Sequence, residues 1–79
     1  MFFVKDELIE LEDRKKYFVL ETALFNNEVF YQVQEVNPEG TNVIGNKKII
    51  TAINENSDIF IEDINDEVKL LELKKIFAS

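Results

Sequence analysis

Cysteine, histidine and tryptophan are absent from these 79 residues, proline occurs once and glycine twice. Without cysteine the chain can form no disulfide, no thiolate zinc site and no thiol nucleophile. Without histidine it lacks the side chain that most readily transfers protons near neutral pH. Cationic side chains are also scarce: nine Lys plus Arg face sixteen Asp plus Glu, for a net charge of -7. A duplex nucleic acid needs a cationic surface, so the expected partners include no nucleic acid. The pairs Lys15-Lys16, Lys47-Lys48 and Lys74-Lys75 are isolated. Long apolar runs are missing as well. The opening run ends at Val4 and charges follow at once, too short for a signal-peptide core or a membrane span. The expectation is a cytoplasmic protein with no membrane partner.

What is present is apolar and aromatic. The hydrophobic fraction is 46%, with seven Phe and two Tyr, well above a disordered acidic tail. Residues 1–79 read as a single domain near the lower size limit for a self-supporting core.

Strand patterns fill the first sixty-odd residues. Met1 to Val4 reads as an extended lead-in, Glu7 to Glu12 alternates, and Asp13-Arg14 reads as a turn. Tyr17 to Phe25 is rich in aromatic and branched residues. Asn26-Asn27 then predicts a tight hairpin, because Asn tolerates positive φ, and Glu28 is a possible turn member. In the next strand Val29, Tyr31 and Val33 share one face and Phe30 and Gln32 the other. Asn37-Pro38-Glu39-Gly40 is the clearest break, and Asn37 to Asn46 the longest predicted loop, with Val43 and Ile44 either anchoring it or extending a strand. Lys48 to Ile53 predicts a fourth strand with Ile49 and Ile50 on opposite faces. Asn54 to Ser57 reads as a turn, and Asp58 to Glu62 as a fifth strand.

The period then changes to helical over Asp66 to Phe77. Leu70, Leu73 and Phe77 form the face expected to be buried, widened by Val68 and Leu71. Asp63 or Asn65 is the expected cap. Asp66 and Glu67 near the start, with Lys74 and Lys75 near the end, suit the helix dipole. The expected fold is therefore α+β: a four- or five-stranded antiparallel meander-like sheet packed by one C-terminal helix.

Three stretches carry a family likeness. They are YFVLETALFNNEVFYQV (Tyr17 to Val33), KKIITAI (Lys47 to Ile53) and DIFIEDINDEVKLLELKKIF (Asp58 to Phe77). In order and character they resemble the YrzB-like family, small acidic bacterial proteins of unknown function. The likeness spans nearly the whole chain. It implies the same hairpin, later strand and terminal helix, and it carries over no catalytic residue.

The remaining candidates each have a structural explanation. Asp58, Glu62, Asp63, Asp66 and Glu67 offer the oxygen ligands a hard cation prefers, but they lack EF-hand spacing, and the last three suit a helix start. Glu10 and Glu12 share a strand face, and Glu21 could join them as a carboxylate pair for hydrolysis, yet nothing raises the pKa of one member. Ser57, Ser79, Thr22, Thr41 and Thr51 have no histidine base. Gly40 and Gly45 lack the phosphate-loop pattern and are read as turn glycines. Tyr17, Phe30 and Tyr31 could stack single-stranded bases, but core packing explains them better without a basic groove. No metal, cofactor or catalytic residue is therefore expected.

The expected function is a non-catalytic protein-interaction or regulatory module, not an enzyme. The alternatives are an acidic DNA mimic that inhibits a DNA-binding protein, and a small carboxylate-dependent hydrolase. A protein partner or self-association is expected, with a homodimer contact through Phe2, Phe3 and Val4 or through an open strand edge.

Overall fold

Two pairs of residues held at positive φ set the geometry of the chain. Asn26 and Asn27 (φ 51° and 66°) make one two-residue hairpin, and Asn56 and Ser57 (φ 52° and 71°) make the other. Positive φ at both central positions is the type I′ signature, whose twist matches that of the flanking strands. In the computed structural model, which describes residues 3–78, the elements are β1 (Leu8–Glu10), β2 (Lys16–Phe25), β3 (Glu28–Val36), β4 (Val43–Glu55), β5 (Asp58–Asp63) and α1 (Glu67–Ala78). The five strands pair antiparallel in chain order. The fold is thus a five-stranded antiparallel meander packed against one C-terminal helix.

Both sheet faces bury apolar side chains. On one face Phe30 and Ile49 enclose Leu73 of α1, with Phe25, Ile64, Leu70 and Phe77 around them. On the other, Ile9, Tyr17, Val19, Tyr31, Val33 and Ile50 form a second cluster, flanked by Phe3, Leu11 and Ile61. β1 and β5 stand at opposite ends of the strand order, yet Ile9 and Ile61 join this one cluster. The sheet is therefore rolled, and its own edges cover the face that α1 does not. Irregular register between Val19 and Glu21, and between Gln34 and Val36, supplies local bends. Phe3 sits edge-on to Tyr31, with ring centroids 5.0 Å apart.

Several boundaries differ from the sequence reading. β1 ends at Glu10, so Glu12 lies in the following turn, which is closed by Leu11 and Lys15 backbone groups. Glu28 begins β3 rather than extending the hairpin turn. The predicted loop ends early, because β4 starts at Val43 and runs through Asn54 and Glu55. Val43 and Ile44 are exposed strand residues, not core anchors.

Gly40 does occupy a turn, at φ 74°. Gly45 does not: it lies within β4, where an added Cβ would stand 2.7 Å from the Glu35 Cβ. Close approach, not turn geometry, excludes a side chain there.

The helix cap also differs. Asp66 accepts hydrogen bonds from the amides of Val68 (3.0 Å) and Lys69 (3.3 Å). Asp63 is the last residue of β5, and Asn65 lies in the connection. Of the expected helix face, Leu73 is fully buried and Leu70 and Phe77 are half-buried. Val68 and Leu71 point away from the sheet, at 72% and 61% exposure. The spacing of Leu70, Leu73 and Phe77 marks the packed side, and the widening by Val68 and Leu71 does not hold because apolar residues continue onto the solvent side.

Candidate binding surfaces

Lys48 lies on the same face of β4 as Ile50, two residues away, and so reaches the rolled side of the sheet. Its ammonium lies 3.2 Å from the Asp63 carboxylate and 4.6 Å from the centre of the Tyr17 ring. The Tyr17 hydroxyl donates to Asp13 at 2.8 Å, and the Lys15 amide donates to the same carboxylate at 2.9 Å. Leu11, Glu12, Asp13, Lys48, Ile61 and Asp63 enclose a cleft of about 190 Å³ where the β1 side meets β5.

The charges in this cleft support one another. Burial would raise the Asp13 carboxyl, but the Lys15 amide, the Tyr17 hydroxyl and the nearby lysines outweigh it and hold it below its ordinary value. Burial raises the Tyr17 phenol, and donation to Asp13 raises it further. For Lys48, burial acts downward, while Asp63 and Tyr17 act upward and prevail. The cluster ties the β1–β2 turn to β4 and β5.

Asp13 titrates lower in the fold than its ordinary value, so its contribution is present above the ordinary carboxylate range and fades as acid protonates the folded carboxylate. Replacing Tyr17 by Phe should cost about 1 kcal/mol at neutral pH. Urea denaturation should show this difference shrinking below the carboxylate range. A difference independent of pH would contradict the assigned bond.

The second surface lies at the hairpin end. β3 pairs with β4 as far as Phe30↔Thr51, whereas β4 continues against β5 to Glu55↔Asp58. Beyond Thr51 the two hairpins part. Asn27, Glu28, Val29, Tyr31, Thr51, Ala52 and Ile53 line the resulting notch of about 440 Å³. The Thr51 hydroxyl donates to the Val29 carbonyl at the apex, at 3.0 Å. Register and alternation place Leu24, Val29, Ala52 and Ile59 on one face across β2 to β5. Leu24 is 70% and Ile59 52% exposed. On the opposite face Ile53 and Phe60, paired across β4 and β5, are also exposed.

The two hairpin segments themselves carry one sign of charge. From Tyr17 to Tyr31 and from Thr51 to Asp63 there are six carboxylates, Glu21, Glu28, Glu55, Asp58, Glu62 and Asp63, and no Lys or Arg. Lys5, Lys69 and Lys48 pair with Glu21, Glu28 and Asp63. Among the described residues, Glu55, Asp58 and Glu62 make no ion pair within 4.0 Å.

The acidic residues singled out from sequence are dispersed. Asp58 closes a hairpin, Asp63 meets Lys48, and Asp66 caps α1. Among the described residues no group of three or more carboxylates is arranged to hold a metal ion. Glu10 stands opposite Lys16 in register, Glu12 lines the cleft, and Glu21 meets Lys5, so the three do not converge. Ser57 forms a hairpin turn, and Ser79 lies outside the described residues. Thr22 pairs with Tyr31 in the ladder, and Thr41 helps close the β3–β4 loop by accepting from Asn37. Tyr17, Phe30 and Tyr31 are buried, and Phe30 and Tyr31 belong to different faces. In the predicted dimer segment Phe3 packs on Tyr31, Val4 is exposed, and Phe2 lies outside the described residues. Among the described residues no helix is long and apolar enough to cross a membrane.

Sequence reading missed the Lys48 cluster because Lys47-Lys48 looks like an exposed pair. The alternation of β4 was the available signal, since it turns one lysine inward with Ile50. No family model, curated protein or solved structure matches the chain.

Proposed function

We propose that the protein is a non-catalytic, cytoplasmic protein-interaction module for a basic partner. The observation that carries this reading is the hairpin end. It places exposed Leu24 and Ile59 on one face, and Ile53 and Phe60 on the other, beside Glu55 and Asp58, which make no ion pair among the described residues. Apolar burial there would supply affinity, while the negative field would speed encounter with a cationic surface. The Lys48 cluster is assigned a structural role, because its ammonium, phenol and carboxylates already satisfy one another. We also propose the YrzB-like assignment, which rests on strand and helix order and brings no reaction with it.

Affinity capture from the native host, with identification of what binds, tests the module reading. One basic protein should be recovered reproducibly at low salt and reduced at high salt. If duplex DNA displaces a captured DNA-binding protein, the DNA-mimic reading takes its place. Turnover of a defined substrate, abolished by one carboxylate-to-amide change in a folded variant, would establish the hydrolase reading instead.

A further inference from the structure

We infer that the notch between the two hairpins is a docking site for an extended, basic peptide segment that carries an apolar side chain. The inference rests on the module reading above and specifies its site and ligand. Three observations converge on it.

The first is the register. In a two-residue hairpin the closing pair exchanges both backbone hydrogen bonds, and the next pair turns its groups outward. Glu55↔Asp58 closes the β4–β5 hairpin, so Asn54 directs its N–H and C=O toward the β3 side. β3 stops pairing at Phe30↔Thr51 and is not beside it there. An extended segment lying against Ala52–Glu55 could meet these groups as an added strand.

The second is shape and lining. The notch holds about 440 Å³, and its apolar residues are Val29, Tyr31, Ala52 and Ile53. Leu24 and Ile59 continue the rolled face on either side. One branched aliphatic side chain would occupy part of this space, and the peptide backbone and flanking atoms the rest.

The third is charge. Glu28 lines the notch, and Glu55 and Asp58 stand at the tip beside it. Glu28 already meets Lys69 at 3.8 Å, so lysine or arginine flanking the apolar residue would meet Glu55 and Asp58. A second copy of this chain fits poorly. Its open edge strand β5 reads DIFIED and would bring like charge, while Lys16, Lys47 and Lys48 already lie in paired strands. Repulsion at close range favours the basic peptide over the copy.

The test uses the full chain and a labelled synthetic peptide alternating lysine with valine, with a glutamate-for-lysine peptide as control. Amide-resolved NMR should show saturable shifts centred on Val29, Tyr31 and Ala52 to Glu55. Fluorescence anisotropy should show affinity falling with salt and no binding of the acidic control. The double variant Glu55→Lys, Asp58→Lys, both at exposed positions, should bind the basic peptide at least about tenfold more weakly while retaining its dispersed spectrum. Three results would each overturn the inference: equal binding of both peptides, shifts centred on Phe60 or on the Lys48 cleft, or concentration-dependent shifts at the notch without peptide, which would make a second copy the occupant. Partner capture that persists in the double variant would remove this site while leaving the module reading standing. Loss of all capture from the unaltered chain would remove the module reading itself.

Discussion

Replacing Leu73 by Ala is expected to destabilise the fold by roughly 2–5 kcal/mol. Leu73 is the one fully buried residue of α1, and its side chain meets Phe30 and Ile49 of the sheet. Truncation removes the contact that seats the helix and leaves a cavity between two rigid layers. The loss is large beside the roughly 4–12 kcal/mol expected for a chain of this length. Leu71, two residues away and facing solvent, supplies the control: its replacement by Ala should change stability by less than about 0.5 kcal/mol. Urea denaturation of the two variants checks the pair. Equal losses would mean that the helix is rotated from the described packing.

Replacing Tyr31 by Ala should have the largest effect, roughly 3–5 kcal/mol, as for other buried aromatic truncations. Tyr31 is fully buried on the face away from α1, among Ile9, Val19, Val33 and Ile50, with Phe3 edge-on to its ring. A flat sheet would leave this face in water, and the change would then be small. A loss in the predicted range requires the rolled sheet, because Ile9 and Ile61 of the outer strands and Phe3 of the lead-in complete the cluster that Val19, Val33 and Ile50 begin. Thermal unfolding by circular dichroism should show the midpoint lowered by roughly 12–40 °C. A loss under about 1 kcal/mol would contradict the second core.

The main elements were legible because their signals are local. Alternation in Val29 to Val33 separated Tyr31 from Phe30, and the same period separated Ile49 from Ile50. Asn26-Asn27 marked a hairpin because each residue accepts positive φ. The change to helical spacing after Ile64 marked α1. Features set by distant contacts were not legible. Nothing local to Ile9 or Ile61 says that they meet one cluster; that depends on twist and irregular register accumulated over the sheet. Gly45 looked like a turn residue because its neighbour Glu35 is ten positions away. The notch has no sequence motif, since it arises where one ladder ends before the next. Its acid rim was visible only as overall charge until the hairpins brought Glu28, Glu55 and Asp58 to one end.

The central claim is that this acidic, apolar hairpin end is the protein-binding surface. Its most direct test is the amide NMR footprint of the captured partner on this chain. The account predicts chemical-shift and exchange changes at Leu24, Val29 and Ala52 to Asp58, reduced by added salt. A footprint confined to the β1–β2 turn and Lys48, or to the outer face of α1 at Val68 and Leu71, would contradict it.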